Sequence, residues 1–175
     1  GWTPTQLNGT GLTGKILGIV GMGRIGRAVA RRARAFGMAI HYANRTRLDP
    51  ASEEGAVWHS DAEALLRVSQ CLLLACPATQ DTTGFLDARR LQLLPRGAIV
   101  ANVGRGAVVV DADLADALAS GQVAAAGLDV FNGEPAVYRR YFDLPNVFML
   151  PHIGSSTIET RVAMARVLVD GLRLY

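Results

Sequence analysis

Residues 16–36 decide the fold, and they read ILGIV (16–20), GMGRIG (21–26) and RAVARRARAF (27–36). Five apolar residues are typical of a buried strand, and the G-x-G-x-x-G pattern that follows is typical of a turn leading from a strand into a helix. Apolar residues then recur at helical spacing, which predicts a helix over 24–36 that ends at Gly37. We expect this helix to bury a face formed by Ile25, Val29, Ala33 and Phe36.

Each of the three glycines in this turn has a distinct predicted role. Gly21 permits a tight turn, Gly23 lets a pyrophosphate approach the backbone, and Gly26 lets the helix pack closely on the strand. The N-terminus of the helix offers N–H groups and partial positive charge to phosphates. The pattern therefore predicts a dinucleotide site; the alternative is a glycine-rich turn without a ligand. The predicted binding residues here are Gly21, Met22, Gly23, Arg24, Ile25 and Gly26.

Beyond this unit, short apolar runs alternate with longer amphipathic segments. Further strands are expected at 38–43, 56–58, 71–75, 98–102, 124–130 and 147–150. The helices between and after them are expected to begin at the capping residues Ser60, Asp87, Asp111 and Ser156. Such alternation is typical of a doubly wound parallel sheet, the Rossmann-type α/β fold with helices on both faces. We therefore predict a single dinucleotide-binding domain over 1–175.

The composition excludes several classes of protein. The chain has 175 residues, of which 50% are hydrophobic and 19% charged, so it is not a disordered chain. No apolar run approaches the ~20 residues of a membrane span, and the first residues lack a secretion signal. We expect a cytoplasmic protein without a membrane partner. Cys71 and Cys76 are expected to be buried free thiols, and the scattered histidines predict no metal site.

The net charge of +3 raises nucleic-acid binding as an alternative. Aromatic residues make up only 6% of the chain, and no helix-turn-helix pattern is present. Much of the basic charge falls between Arg24 and Arg47. We therefore expect no nucleic-acid partner and interpret the charge as serving a small anion.

The end of the second strand bears on the choice of cofactor. An NAD site usually places Asp or Glu about 20 residues after the first glycine, where it binds the ribose 2′-hydroxyl. This chain has no acidic residue from Gly21 to Leu48, and Asn44, Arg45 and Thr46 stand at that place, followed by Arg47. Arginine and threonine donate hydrogen bonds to phosphate. NADP(H) is therefore the preferred cofactor and NAD(H) a possible one; the alternative is a solvated surface turn.

Three later segments place ionisable residues directly after strands. Arg105 lies in NVGRG (102–106), Glu134 in DVFNGEP (129–135) and His152 in PHIGSS (151–156). Because the carboxyl ends of parallel strands converge on the ligand, we expect these three side chains to meet. Singly, each has a structural alternative: a surface arginine, a loop charge before proline and a structural histidine.

Together, GMGRIG, NVGRG, GLDVFNGEP and PHIGSS resemble the D-2-hydroxyacid dehydrogenase family, in order and across nearly the whole chain. The ANRTR segment (43–47) is most similar to its NADPH-dependent glyoxylate and hydroxypyruvate reductases. The resemblance implies hydride transfer between NADP(H) and a small 2-keto or 2-hydroxy acid. Arg105 would bind the substrate carboxylate, His152 would be the general acid/base, and Glu134 would orient His152 and favour its protonated form.

The resemblance also implies further cofactor contacts. Asp129 would reach the nicotinamide carboxamide, or alternatively it caps a turn. Gly104 replaces the family's usual alanine and would add backbone freedom beside Arg105. The remaining cofactor residues implied by the resemblance are Cys76, Pro77, Thr82, Val103, Gly104, His152 and Gly154.

Family members carry a second, substrate-binding domain, which we expect to be absent from this chain. The chain is then expected to bind cofactor but to turn over poorly alone, and a homodimer through this domain is expected. Two rival functions stay open: a non-catalytic dinucleotide sensor of the corepressor kind, and an NAD-dependent relative such as a formate or phosphoglycerate dehydrogenase.

Overall fold

The computed structural model describes residues 9–172, which form seven strands and six α-helices. The strands are β1 (Ile16–Val20), β2 (Ala39–Ala43), β3 (Val57–His59), β4 (Cys71–Leu74), β5 (Ala98–Asn102), β6 (Val123–Leu128) and β7 (Val147–Met149). The helices are α1 (Arg24–Ala35), α2 (Pro50–Glu53), α3 (Ala62–Val68), α4 (Ala88–Leu91), α5 (Asp111–Ala119) and α6 (Ile158–Leu172). Short 3-10 helices lie at Gly106–Val108 and Arg139–Asp143.

All seven strands are parallel, in the order β3-β2-β1-β4-β5-β6-β7. This confirms the predicted Rossmann-type sheet. The chain moves outward from β1 in one direction, then returns to place β4 on the other side of β1. At such a switch point the loops leaving neighbouring strands diverge and open a crevice for a ligand.

Both faces of the sheet are buried. Along β4, Leu72 and Leu74 join one apolar cluster, whereas Cys71 and Leu73 join the other. Because alternate side chains of a strand point to opposite faces, the two clusters lie on opposite sides of the sheet. Burial on both faces explains why β4 is a continuous apolar run. Cys71 and Cys76 are both buried and free, as predicted.

Helix α1 packs on the sheet through small residues; of its predicted face, Ala33 is buried and Val29 is partly buried, whereas the expectation was wrong for Ile25 and Phe36. Its buried residues are Gly26, Ala30 and Ala33, whereas Ile25 and Phe36 are 55% and 61% exposed. Glycine and alanine let the helix axis approach β1 closely, so the large side chains on either flank are left outside. Gly37 has φ +76°, as expected for a residue that ends a helix.

Two of the four predicted N-caps are displaced by one residue. The side chain that accepts from the first turn of α3 belongs to Asp61, not Ser60. Thr157 rather than Ser156 accepts the N–H of Thr160 at the start of α6. In each case the cap follows the predicted residue directly, and both neighbours are residue types that favour caps.

Of the other two predicted N-caps, one is confirmed and one is not. Asp87 caps α4 as predicted, by accepting the N–H of Arg90. Asp111 is the first residue of α5 rather than its cap, and its carboxylate instead accepts the hydroxyl of Tyr141.

Helix α6 leaves the sheet and buries none of its described residues. No helix within residues 9–172 combines the length and hydrophobicity that crossing a bilayer requires.

Candidate active site

A cavity of about 560 Å³ opens at the carboxyl ends of β1, β2 and β4. It gathers most of the predicted cofactor residues of this half of the sheet: Gly21, Gly23, Asn44, Arg45, Thr46, Cys76, Pro77 and Thr82. Ser60, Thr79 and Asp81 also line it, and none of them belongs to a binding motif in the sequence.

The three glycines of the turn differ in the space that surrounds them. Gly21 has φ +96°, and a Cβ there would lie 2.6 Å from the backbone nitrogen of Cys76. A Cβ on Gly26 would lie 2.6 Å from the carbonyl oxygen of Gly21. At Gly23, by contrast, a Cβ would meet nothing within 4 Å. Two glycines are thus required for packing, while the third, Gly23, faces open space.

The start of α1 offers N–H groups to that space. Gly23 is the N-cap and has no side chain to accept from the first turn, and no acidic residue lies in that turn. Arg24 and Ile25 are exposed beside it, whereas the Met22 side chain is buried in the core. Met22 therefore contributes only its backbone, and its N–H donates to Oδ1 of Asn44 at 2.7 Å.

The loop after β2 carries a free cation towards the cavity. Arg45 lines the cavity and forms no ion pair within the part of the chain that the structure describes. Arg47, which the sequence offered as a further phosphate donor, is used elsewhere. Its Nε lies 2.8 Å from Oε1 of Glu53, and its guanidinium stacks over Trp58.

Glu53 holds the loop after β2 in place through hydrogen bonds. Its carboxylate is buried, and it accepts hydrogen bonds from Arg47 and from the hydroxyl of Tyr42 at 2.6 Å. These donors, Arg47 first and Tyr42 second, hold the pKa of Glu53 below its ordinary value. The Tyr42 hydroxyl also accepts the N–H of Leu48 at 3.0 Å, so both ends of the loop are fastened.

The loop after β4 closes the cavity on its other side. The Thr82 hydroxyl donates to the carbonyl of Pro77 at 2.6 Å and accepts the N–H of Thr79 at 2.8 Å. Thr82 therefore shapes the loop while lining the cavity. Burial raises the pKa of the Cys76 thiol, so this residue presents a neutral, uncharged wall.

His152 and Glu134 meet at the far end of the sheet. Nδ1 of His152 lies 2.7 Å from Oε2 of Glu134, while the other carboxylate oxygen accepts the N–H of Phe131 at 2.8 Å. The hydrogen bond with His152, followed by that from Phe131, holds the pKa of Glu134 below its ordinary value. The His152 side chain is 49% exposed, so its other nitrogen can face a substrate.

Asp129 holds the loop that carries this histidine. Its buried carboxylate accepts the N–H of Ile153 at 2.8 Å and that of Gly154 at 2.9 Å. A Cβ on Gly154 would lie 2.9 Å from Oδ2 of Asp129, which leaves little room for a larger residue. His152 itself has φ +55°, an uncommon backbone conformation for a residue with a side chain. The turn-capping alternative for Asp129 is therefore realised.

The NVGRG segment joins the two halves of the site. Val103 donates its N–H to the carbonyl of Leu74, and a Cβ on Gly104 would lie 2.6 Å from the carbonyl oxygen of Cys76. The glycine at position 104 is therefore explained by the lack of space for a side chain rather than by a need for backbone freedom. Gly106 packs directly against the backbone of Phe131. The exposed Arg105 lies between them, and its charge also lowers the pKa of Glu134.

Asn102 fastens the NVGRG segment through its side chain, a role that the sequence analysis did not assign to it. It is buried at the end of β5, where Oδ1 accepts the N–H of Gly104 and Nδ2 donates to the carbonyl of Arg105. A polar residue at the end of a buried strand was the available signal, because such a side chain needs hydrogen-bond partners.

Two histidines that are far apart in sequence also meet. Nδ1 of His41 on β2 lies 2.9 Å from Nε2 of His59 on β3. Burial, and then the charge of His59, lower the pKa of His41 and favour its neutral ring. Residues 9–172 contain no group of three or more His, Cys, Asp or Glu side chains that could hold a metal ion.

Comparison with known proteins gives a consistent family. Residues 1–154 match the profile of the D-isomer specific 2-hydroxyacid dehydrogenase NAD binding domain. The glyoxylate reductase of Thermococcus litoralis is 46% identical over 172 residues, which cover 98% of this chain and 52% of that protein.

Two solved structures extend the match. A Polaromonas sp. protein assigned to the NAD-binding D-isomer specific 2-hydroxyacid dehydrogenases has a TM-score of 0.97 at 54% identity, covering 99% of this chain and 54% of its own. The NADPH-dependent glyoxylate/hydroxypyruvate reductase of Sinorhizobium meliloti, solved with NADP and malonate, has a TM-score of 0.87 at 39% identity, covering 91% and 49%. This chain spans about half the length of the relatives that it matches. It belongs to the D-isomer specific 2-hydroxyacid dehydrogenases, an oxidoreductase family, as their NAD-binding domain.

Proposed function

We propose that this chain is the cofactor-binding half of an NADP(H)-dependent reductase of small 2-keto acids, with glyoxylate or hydroxypyruvate as substrate. The observation that carries the proposal is the hydrogen bond between His152 and Glu134 on the sheet edge that also carries the dinucleotide cavity. The names of relatives support the substrate class, since they include a glyoxylate reductase and a glyoxylate/hydroxypyruvate reductase.

The chemistry follows from the charges that the reaction develops. When bound, the dinucleotide supplies a hydride, and the carbonyl oxygen of the substrate then gains negative charge and needs a proton. His152 is the proton donor, and Glu134 on its Nδ1 fixes the ring so that Nε2 faces the substrate. Arg105 binds the substrate carboxylate, for which a guanidinium is well shaped. Asp129 and Gly154 line the nicotinamide side.

The preference for NADP(H) rests on the loop after β2. Arg45 and Thr46 line the cavity there, and none of the first five residues after the strand carries a carboxylate. A carboxylate would repel a 2′-phosphate, whereas a guanidinium and a hydroxyl donate to it. The Sinorhizobium meliloti structure was solved with NADP, which supports the same choice.

Full activity needs a second wall over the site. His152 and Arg105 are exposed, and water must be excluded for efficient transfer. The remaining half of the length found in relatives would supply that wall. This chain alone is therefore expected to bind the cofactor and to turn over poorly.

Calorimetric titration of this chain with NADPH and NADH, side by side, tests the cofactor assignment. We expect binding of both, with NADPH at least about tenfold tighter, a difference of about 1.4 kcal/mol. A panel of 2-keto acids, assayed with a protein that carries both domains, tests the substrate class. Cofactor binding without reduction of any keto acid would favour the non-catalytic sensor.

A further inference from the structure

The side chain of Asn102 holds the backbone on both sides of Arg105. Its Oδ1 accepts the N–H of Gly104 at 3.1 Å, and its Nδ2 donates to the carbonyl of Arg105 at 3.0 Å. Only one orientation of the amide satisfies both bonds, because a backbone N–H can only donate and a carbonyl can only accept. Asn102 is buried, so water does not compete for these bonds. The peptide groups before Gly104 and after Arg105 are therefore both held.

The peptide group between these two receives the arginine side chain itself. Nη1 of Arg105 donates to the carbonyl of Gly104 at 2.7 Å. A guanidinium carries several N–H donors, so one bond to its own backbone leaves a pair for a carboxylate. The exposed guanidinium is thus directed by a carbonyl whose own direction depends on Asn102.

Close packing prevents the segment from moving as a whole. On one side, a Cβ at Gly104 would lie 2.6 Å from the carbonyl oxygen of Cys76, which lines the cofactor cavity. On the other side, Gly106 lies directly against the backbone of Phe131. Arg105 is therefore fixed between the wall of the cofactor cavity and the loop after β6.

We propose that Asn102 is a positioning residue for substrate binding, because it holds the segment around Arg105 and so directs the guanidinium towards the carboxylate of the keto acid before the substrate arrives. This rests on the proposed function, in which Arg105 binds that carboxylate, and deepens it. A guanidinium that is already oriented loses less conformational freedom on binding, so affinity is gained without a new contact. Asn102 acts through Arg105 and is not itself a substrate contact.

The substitution Asn102→Ala removes both hydrogen bonds, and Gln122→Ala is its matched control. Gln122 is also a buried amide that fastens the backbone, since its Nε2 donates to the carbonyls of Leu91 and Leu94 at 3.0 and 2.9 Å. It directly precedes β6, at the end of the sheet away from Arg105. Both variants lose two hydrogen bonds with the backbone, but only N102A releases Arg105.

Reduction of glyoxylate and of hydroxypyruvate is measured with saturating NADPH, in a protein that carries both domains. We expect N102A to raise KM at least about tenfold while kcat stays within about threefold, because binding of substrate and of transition state is lost equally. The Kd for NADPH should change by less than about twofold in both variants, and Q122A should keep the wild-type KM.

A double variant shows whether Asn102 acts through Arg105. We expect Arg105→Gln to lower kcat/KM by about 100-fold, and N102A added to it to lower kcat/KM by less than about twofold more, because residues of one hydrogen-bonded unit are not additive. A wild type that reduces neither keto acid, or an R105Q variant as active as wild type, overturns the proposed function together with this inference. If R105Q loses activity, the inference alone is overturned by a wild-type KM in N102A, by an equal rise in Q122A or by additive losses.

A measurement on the wild-type chain keeps the test valid if N102A does not fold. Hydrogen exchange at the backbone amide of Gly104 is compared with exchange at Gly11, an exposed glycine. We expect exchange at Gly104 to be at least about 100-fold slower, because Asn102 accepts its N–H. Similar rates at the two glycines would show that the segment is not held before substrate binds, and would overturn the inference.

Discussion

Nδ1 of His152 lies 2.7 Å from Oε2 of Glu134, although 18 residues separate them in sequence. The sheet explains this meeting, because β6 and β7 are adjacent and parallel and the two residues follow them at the same edge. Each partner is also held independently, Glu134 by the N–H of Phe131 and the histidine loop by Asp129. The pair is therefore assembled before any ligand arrives.

Replacing the proposed proton donor should separate catalysis from binding. In a protein with both domains, we expect His152→Gln to lower kcat for glyoxylate by about 10²- to 10⁴-fold, the usual contribution of a general acid. The Kd for NADPH should stay within about twofold. His59→Gln, on the far edge of the sheet, is the matched control and should keep its activity. Undiminished reduction by H152Q would show that His152 is not the proton donor.

The pair should also give the domain a pH-dependent stability. Because the pKa of Glu134 is depressed in the folded chain, mainly by His152, its stabilising effect is present above the ordinary glutamate value of 4.5. It is lost as pH falls through the lower, folded-state pKa. We expect Glu134→Gln to melt below wild type at pH 6, and the difference in Tm to shrink towards pH 3. A difference that grows on acidification would contradict this.

The carboxylate of Asp129 should be hard to replace. Asparagine keeps one acceptor oxygen and turns its NH₂ group towards a backbone N–H, so one of the bonds to Ile153 and Gly154 is lost. We expect Asp129→Asn to lower the free energy of unfolding by about 1–3 kcal/mol in urea titrations. Asp61→Asn is the control: it also accepts two N–H groups, but at an exposed helix cap where asparagine serves well. Equal losses in both variants would count against the prediction.

Lack of space at Gly104 gives a further test. A Cβ there would lie 2.6 Å from the carbonyl oxygen of Cys76, and neither backbone can move without disturbing the cavity wall. We expect Gly104→Ala to destabilise the domain by about 1–3 kcal/mol and to weaken NADPH binding. Gly127→Ala, where nothing lies within 4 Å, should change stability far less. If G104A is as stable as wild type, the loop is more compliant than its packing indicates.

The buried hydroxyl of Tyr42 should stabilise the loop after β2. It donates to Glu53 and accepts from Leu48, so Tyr42→Phe leaves a buried carboxylate with one donor fewer. We expect a loss of about 1–3 kcal/mol in the free energy of unfolding. NADPH should lose more affinity than NADH, because the loosened loop carries Arg45 and Thr46. Equal losses for the two dinucleotides would show that the loop does not read the phosphate.

Much of the fold could be predicted because its signals are local. A strand buried on both faces needs an unbroken apolar run, and β1, β4 and β5 were located by such runs to within a residue. On α1 the prediction was right for Ala33 but wrong for Ile25 and Phe36, because side-chain size was taken as the sign of burial. Close packing of that helix instead selects glycine and alanine.

The site was predictable to the extent that its residues follow strands, and less so where partners come from elsewhere. Arg47 looked like a phosphate donor because its partner, Glu53, lies beyond the turn on another element. The bond between Asn44 and Met22 spans 22 residues, and only folding brings the two together. Sequence indicates which residues reach the sheet edge, whereas the pairing among them depends on tertiary contacts.

The strand order has an evolutionary consequence. Loops after β1, β2 and β4 surround the nucleotide cavity, whereas those after β6 and β7 carry Glu134 and His152, with the β5 loop between them. If the proposed function holds, coenzyme preference and proton donation can therefore change independently, each by replacement of a few residues in its own loops. Exchanging residues 44–49 for a segment that carries a carboxylate should change the coenzyme preference of the domain. The proposed proton donor, His152, should remain intact.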